Sequence, residues 1–196
     1  MKIKEVVFAS HNQGKIAEIK QLLAPFNIVV KSAADMDLPD VEENGTTFAE
    51  NSLIKSQTIA RKIGLPCIAD DSGLCVDALG GRPGIYSARY APNRDFKLGM
   101  AKLLAEMDAS GNNSRKAHFC CVVSLAYPDG FYELFEGRVE GNIAEKPQGE
   151  GGFGYDPLFV PEGYTQSFAE LGASVKNKIS HRARAMQKLL NYLENL

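Results

Sequence analysis

Two adjacent carboxylates, Asp70 and Asp71, follow a short apolar run in the stretch CIADDSGLCV. Neighbouring carboxylates repel each other, and a bound cation would relieve that repulsion. A second acidic pair, Glu42 and Glu43, lies in a loop rich in Asp, Pro and Glu. Mg²⁺ commonly binds one or two carboxylates and fills its other positions with water and phosphate oxygens. The two pairs therefore suggest a magnesium site, against two alternatives: a solvated acidic surface and, for Asp-Ser-Gly, an ordinary turn.

The stretch SHNQGK, Ser10 to Lys15, joins an apolar run to a helical pattern. A polar, glycine-containing turn between a strand and a helix N-terminus is a ready anion site. The stretch is not a Walker A loop, because Ala9 stands where the first glycine would be and Ile16 replaces the Ser or Thr. The residues fit either a phosphate-binding loop or an ordinary turn with an exposed lysine.

A basic cluster surrounds the predicted start of the last helix, for which Ser180 is the expected N-cap. Its members in KNKISHRAR are Lys176, Lys178, His181, Arg182 and Arg184. Cations in a first helical turn oppose the positive end of the helix macrodipole, at a cost of a few tenths of a kcal/mol each. Their concentration there favours a compensating anion over a merely solvated basic face.

The glycine-rich stretch GEGGFGYDPLF, residues 149–159, raises a similar choice. Gly and Pro are ordinary loop punctuation. Glycines are also required where the backbone approaches a ligand closely and a Cβ would obstruct it.

The elements that must position these residues alternate between strand and helix. Strands are predicted at VVFAS, NIVVKS, the apolar run that ends at Asp70-Asp71, HFCCVVSLAY, GFYELFEGRVEGNI and LFV; helices are predicted from Gly14 to before Pro25, over 46–64, over 93–107 and after Ser180. Pro128-Asp129-Gly130 predicts a hairpin between the two long strands. The order indicates an α/β fold with a mixed sheet, and carboxylates at the carboxyl end of a core strand point to its ligand crevice.

Composition excludes several classes of protein. A length of 196 residues without a repeat or linker predicts one domain over 1–196, and a net charge of −2 gives no support for nucleic-acid binding. No apolar run is long enough for a membrane helix, and the apolar stretch within MKIKEVVFAS is too short for a signal peptide. The four cysteines form no CxxC pair and are expected to be buried thiols in a reducing, cytoplasmic protein.

Taken together, six stretches in this order resemble the inosine triphosphate pyrophosphatase family: SHNQGK, EENGTTFAENS, ADDSGL, LGGRPGIYSARY, GGFGYDPLF and SHRARA. The resemblance runs nearly end to end. It implies an elongated mixed β-sheet flanked by helices, with two lobes and the active site in the cleft between them, usually in a homodimer. The implied reaction is Mg²⁺-dependent hydrolysis of deaminated purine nucleoside triphosphates, namely dITP, ITP and XTP, to the monophosphate and pyrophosphate. Such an enzyme cleanses the nucleotide pool.

The resemblance also assigns roles to residues. It implies that Asp71 is the catalytic proton acceptor and lies near or on the metal, with Glu42 or Glu43 as the other metal carboxylate. The implied substrate-binding residues are Ser10, His11, Asn12, Gln13, Gly14, Lys15, Ser72, Phe153, Gly154, Tyr155, Asp156, Lys176, His181 and Arg182. Ser10 to Lys15 and Lys176 would hold the triphosphate, and Phe153 to Asp156 with His181 and Arg182 would frame the base.

On this interpretation the glycines of GEGGFGYDPLF let the backbone close over a purine, with Phe153 or Tyr155 as a stacking face. Donors aimed at the C6 oxygen of hypoxanthine or xanthine would meet the amino group of adenine unfavourably, and such a site can reject an analogue by roughly 10⁴–10⁵-fold. Two rivals remain: a related septum-formation (Maf-like) hydrolase, and a nucleotide sensor that binds without hydrolysis. The SHR and FGYDP stretches speak against the first, and the carboxylate cluster speaks against the second.

Overall fold

A computed structural model describes residues 3–196. Its strands are β1 (Glu5–Phe8), β2 (Val29–Ser32), β3 (Cys67–Val76), β4 (Lys116–Ala126), β5 (Tyr132–Ile143) and β6 (Phe159–Pro161). Its α-helices are α1 (Gln13–Leu23), α2 (Phe48–Ile63), α3 (Phe96–Ala109), α4 (Phe168–Leu171), α5 (Ala173–Ile179) and α6 (His181–Glu194). The predicted α/β class is confirmed.

The strands form one mixed sheet in the order β2-β1-β3-β4-β5-β6. β1 pairs in parallel with β2 and with β3, while β5 and β6 are antiparallel. The predicted hairpin between β4 and β5 is confirmed, because the N–H of Gly130 and the carbonyl of Phe131 both bond to the backbone of Tyr127.

The chain divides into two compact units. The first contains the residues up to Asp71, Val122–Glu136 and Ala185–Leu196, and one of its apolar clusters includes Val7, Ile59 and Cys67. The second contains Ser72–Cys121 and Gly137–Arg184, and its core includes Leu103, Phe159 and Phe168. Burial of this apolar surface is the main stabilising contribution in each unit. All four cysteines are buried thiols, as predicted.

Helix ends follow the sequence signals closely. Thr47 caps α2 by accepting a hydrogen bond from the Glu50 N–H, and Gly64 ends the helix in the left-handed conformation, with φ 72°. Ser180 caps α6 by accepting from the Ala183 N–H at 3.1 Å. The expected N-cap is therefore confirmed.

Two expectations about local structure were wrong. β3 does not end at Asp70-Asp71 but continues to Val76, so the Asp-Ser-Gly stretch is extended strand and not a turn. The basic cluster is split as well, because Lys176 and Lys178 lie in the last turn of α5. Cations are favourable at a helix C-terminus, so only His181, Arg182 and Arg184 oppose a macrodipole, that of α6.

Candidate active site

The strand register brings the SHNQGK turn, Ser10 to Lys15, beside the paired aspartates. The last paired residues of β1 and β3 are Phe8 and Ile68, and because the two strands are parallel, both chains run on in the same direction from that pair. Ser10 lies two residues beyond the pair on one chain, and Asp70 lies two residues beyond it on the other. The ammonium of Lys15 lies 2.8 Å from Asp70 Oδ2. The Lys15 side chain is 31% exposed and that of Asp70 only 5%, so a half-buried lysine is held by a buried carboxylate.

The SHNQGK turn leads into a helix N-terminus, as its sequence predicts, and Asn12 is the N-cap. Asn12 Oδ1 accepts a hydrogen bond from the Lys15 N–H at 3.1 Å, and Ser10 Oγ accepts one from the Asn12 N–H at 3.1 Å. Gln13 and Gly14 form the exposed first turn of α1. These side-chain caps fix the turn. The remaining N–H groups lie at the positive end of the helix macrodipole, where an anion is favoured.

His11 connects the SHNQGK turn to the acidic loop. Its Nε2 lies 2.7 Å from the carbonyl oxygen of Leu38, and its Nδ1 lies 2.8 Å from Asp40 Oδ1. Its observed partners are therefore groups of the loop that leads to Glu42 and Glu43.

Lys55 is a site residue that the sequence interpretation missed. From α2 it donates a hydrogen bond to Glu43 Oε1 at 3.0 Å and to the carbonyl oxygen of Asp70 at 2.6 Å. Its side chain is 15% exposed. The available signal was its position in TTFAENSLIK, one helical turn after Asn51, on the face of α2 that meets β3.

Asp71 is the carboxylate whose protonation is most perturbed. Burial raises its pKa from 3.8 to about 6, against the opposing attraction of Lys55. The nearby charges of Glu43 and Asp70 raise the pKa further, and a hydrogen bond with Asn51 lowers it. A carboxylate of this kind holds a proton more readily than a solvated aspartate does, which is the property a general base needs near neutral pH.

The structure separates the two glutamates between which the sequence could not choose. Glu43 is paired with Lys55 and acts electrostatically on Asp71. Glu42 is exposed and instead lines a cavity of about 260 Å³ with Leu38 and Lys62. Within residues 3–196, no group of three or more His, Cys, Asp or Glu side chains is arranged to hold a metal ion. Glu43 with Asp71 is thus the carboxylate pair on which a metal proposal can rest.

In the second unit, Asp156 organises the glycine-rich loop. Its Oδ2 accepts the Phe153 N–H at 2.7 Å and lies 2.5 Å from the ammonium of Lys176. Gly152 has φ +78°, and a Cβ there would lie 2.3 Å from the same oxygen. Asp156 is 2% exposed, so it shapes the loop from inside, and Lys176, the predicted triphosphate ligand, is its counterion.

The same loop places its two aromatic rings differently. Tyr155 is 3% exposed, and its hydroxyl donates to the carbonyl oxygen of Ser87 at 2.7 Å. Phe153 is 68% exposed and rests edge-on against Phe96, with ring centroids 5.1 Å apart. Of the two predicted stacking faces, Phe153 is the one that solvent reaches. Gly154, between them, has φ +63°, which a glycine adopts without strain.

The remaining predicted residues, His181, Arg182 and Ser72, belong to the second unit. His181 begins α6 and stacks on Phe119, with ring centroids 4.8 Å apart and planes 13° apart. Arg182 follows in the first turn of the helix. Ser72 lies within β3, immediately after Asp71.

Comparison with known proteins establishes the family. A model described as the Ham1 family matches residues 6–192. The dITP/XTP pyrophosphatase of Zymomonas mobilis is 52% identical over 187 residues, which cover 94% of this chain and 90% of that protein. The dITP/XTP pyrophosphatase of Bacillus subtilis is 45% identical over 194 residues, which cover 98% of both chains.

A solved structure agrees with these sequence matches. A HAM1 protein from Coxiella burnetii has a TM-score of 0.95 and 39% identity, covering 100% of both chains. This chain belongs to the Ham1 family, and the resemblance carried by the six motifs is confirmed. No helix within residues 3–196 is long and apolar enough to cross a membrane.

Proposed function

We propose that this protein hydrolyses deaminated purine nucleoside triphosphates, namely dITP, ITP and XTP, to the monophosphate and pyrophosphate with the help of Mg²⁺. The observation that carries the proposal is the cluster of Lys15, Asp70, Asp71, Glu43 and Lys55 beyond the end of β1. This cluster occurs in a chain that is 52% identical to a dITP/XTP pyrophosphatase. In a metal-bound triphosphate, the carboxylates of this cluster suit the metal ion and its ammonium groups suit the phosphate oxygens.

Asp71 is the proposed proton acceptor. Its raised pKa, about 6, leaves it ionised at neutral pH and able to take a proton from an attacking water. Its carboxylate and that of Glu43 are hard oxygen ligands of the kind Mg²⁺ requires, and the repulsion between them is what a cation would relieve. When bound, Mg²⁺ supplies charge neutralisation at the phosphates and a lowered pKa of coordinated water.

The lysines are the proposed phosphate ligands. Lys15 lies at the start of α1, where the macrodipole adds to its charge, and Lys55 lies across the carboxylates from it. Phosphate oxygens would replace the carboxylate oxygens that hold these ammonium groups. Ser10 to Gly14 would add the hydroxyl and backbone N–H groups of the turn.

A separate set of residues is proposed to bind the base. The exposed ring of Phe153 offers a stacking face, and His181 and Arg182 supply donors for the oxygen acceptors of the base. Lys176 remains a proposed ligand of the triphosphate. Asp156 would hold the loop in shape without touching the base. We also propose that the protein is a cytoplasmic homodimer that binds neither nucleic acid nor membranes, on the strength of the family resemblance and the net charge of −2.

The experiment is a panel of dITP, ITP, XTP, ATP, GTP and dTTP, assayed with Mg²⁺ and with EDTA, in which pyrophosphate and orthophosphate are measured separately. We expect Mg²⁺-dependent pyrophosphate release, with kcat/KM for dITP, ITP and XTP far above that for ATP. Comparable kcat/KM for ATP and ITP, or stepwise loss of orthophosphate, would contradict the proposal. Preference for dTTP would favour the Maf-like alternative, and binding without hydrolysis would favour the sensor.

A further inference from the structure

Three serine hydroxyls form a buried chain behind the carboxylate cluster. Ser52 and Ser56 lie on α2, Ser124 lies on β4, and all three residues are 0% exposed. The Oγ of Ser124 lies 2.8 Å from the Oγ of Ser52 and 2.8 Å from the Oγ of Ser56. A buried hydroxyl is costly unless it is hydrogen-bonded, so three of them in mutual contact form a network with a defined geometry.

The hydroxyl of Ser52 is the group that reaches β3. Its Oγ lies 3.1 Å from the carbonyl oxygen of Ala69, which can only accept, so Ser52 is the donor in that hydrogen bond. The hydroxyl of Ser124 lies within reach of three acceptors: the Oγ of Ser52, the carbonyl oxygen of Ser52 at 2.9 Å, and the Oγ of Ser56. Two of these three acceptors belong to Ser52, and the Oγ of Ser52 can still accept from Ser124 while it donates to Ala69. Ser124 therefore holds Ser52 at both its hydroxyl and its backbone.

Ala69 is the residue at which β3 leaves the support of β1. The pairing of these strands ends at Phe8 and Ile68, immediately before it. From there, side chains of α2 bind successive carbonyl oxygens of β3: Ser52 binds that of Ala69, and Lys55 binds that of Asp70 at 2.6 Å. The next residue is Asp71.

We infer that Ser52, oriented by Ser124, is a positioning residue that holds the backbone of β3 in place immediately before the two aspartates. The inference rests on the proposed function, because it assigns Ser52 an effect on turnover through Asp71. Ser52 touches neither carboxylate. It acts through the backbone, and a shift of about 1 Å in a reacting group can cost about 10²-fold in rate.

The chain offers a matched control at Ser56. Ser52→Ala and Ser56→Ala remove the same hydroxyl from the same buried face of α2, and each leaves the same small cavity. Only Ser52→Ala removes the hydrogen bond to Ala69, since Ser56 contacts Ser124 and the carbonyl oxygen of Leu53 instead. Ser52→Cys preserves the size of the side chain but is a weak donor, which provides a milder variant if Ser52→Ala does not fold.

The experiment measures kcat and KM for dITP at saturating Mg²⁺, thermal unfolding, and amide hydrogen exchange of residues 68–73. We expect both alanine variants to unfold at similarly lowered temperatures. Ser52→Ala should lower kcat roughly ten-fold to a hundred-fold with little change in KM and should speed exchange at residues 68–73, with Ser52→Cys intermediate. Ser56→Ala should retain wild-type kcat and exchange in that segment.

Equal kcat and equal exchange in the Ser52 and Ser56 variants would overturn the inference and leave the network with a packing role alone. A wild-type protein that hydrolyses none of the nucleotides would instead defeat the proposed function. In that case, exchange at residues 68–73 still decides whether Ser52 positions β3. The two failures are therefore distinguishable.

Discussion

Replacing Asp71 by Asn changes charge and basicity while keeping size and shape. Burial, together with the charges of Glu43 and Asp70, raises the pKa of Asp71 to about 6, so the folded protein favours the neutral side chain. Asn is permanently neutral and retains a carbonyl oxygen for the hydrogen bond with Asn51. The substitution should therefore slow turnover strongly and, at the same time, stabilise the metal-free fold.

The size of the stabilisation follows from the pKa. A rise from 3.8 to about 6 corresponds, at about 1.4 kcal/mol per pKa unit, to about 3 kcal/mol as an upper value. Because the folded pKa is the higher one, this penalty is absent below about pH 4, grows between pH 4 and 6, and is fully present above pH 6. For a chain of this length, each kcal/mol shifts Tm by about 2–4 °C.

The assay is thermal unfolding of wild type and Asp71→Asn in EDTA at pH 4 and pH 8, beside kcat for dITP with saturating Mg²⁺. We expect a higher Tm for the variant at pH 8, no difference at pH 4, and a loss of about 10²–10⁴-fold in kcat, as is typical when a general base is removed.

The neighbouring carboxylate is the matched control. Asp70→Asn removes the partner of Lys15, whose ammonium lies 2.8 Å away, and should destabilise the protein at pH 8 by about 1–3 kcal/mol. Adjacent, equally conservative changes should thus shift Tm in opposite directions. A lowered Tm for Asp71→Asn at pH 8, or turnover near that of wild type, would refute the electrostatic reasoning about Asp71.

Five other substitutions separate roles that the structure assigns to different residues. Phe153→Ala should raise KM for dITP about ten-fold at unchanged Tm, because an exposed stacking ring contributes about 1–3 kcal/mol to binding a base. Tyr155→Phe should instead lower the free energy of unfolding by about 1 kcal/mol with unchanged kinetics. A raised KM for Tyr155→Phe together with a lowered Tm for Phe153→Ala would show that Tyr155 stacks on the base and Phe153 is structural. Glu43→Gln should raise the Mg²⁺ concentration needed for half-maximal activity, and Glu42→Gln should not. Equal effects of the two variants in a metal titration would contradict the choice of Glu43 as the metal carboxylate. Lys176→Met should lower stability in urea by about 3–5 kcal/mol, because the buried carboxylate of Asp156 loses its counterion, and wild-type stability would contradict this.

Local signals in the sequence predicted local structure well. Thr47, Gly64 and Ser180 stand at helix ends because capping depends only on residues within one turn. The β4–β5 hairpin was predictable for the same reason. The extension of β3 through Asp70 and Asp71 was not, since those residue types disfavour a strand and only its place in the sheet keeps them extended.

The sequence predicted residues for the candidate site but not which of them contact one another. Lys15 and Asp70 are 55 positions apart, and only the register of β1 against β3 brings them together. Lys55 was missed because a lysine on a helix ordinarily indicates a solvated face, and its contacts with Glu43 and Asp70 depend on how α2 packs on the sheet. The difference in burial also shows that Phe153, and not Tyr155, offers an exposed ring, and the sequence motif alone could not distinguish the two.

The pairing of both site lysines with protein carboxylates affects how ligand binding responds to salt. Lys15 is bound to Asp70, and Lys55 is bound to Glu43. An ammonium neutralised by an internal carboxylate attracts few anions from solution, so an arriving triphosphate displaces a carboxylate and releases little chloride. Screening by dissolved ions acts weakly on partly buried pairs. The affinity of Lys15 and Lys55 for a triphosphate should therefore fall less steeply with ionic strength than the affinity of two exposed lysines would.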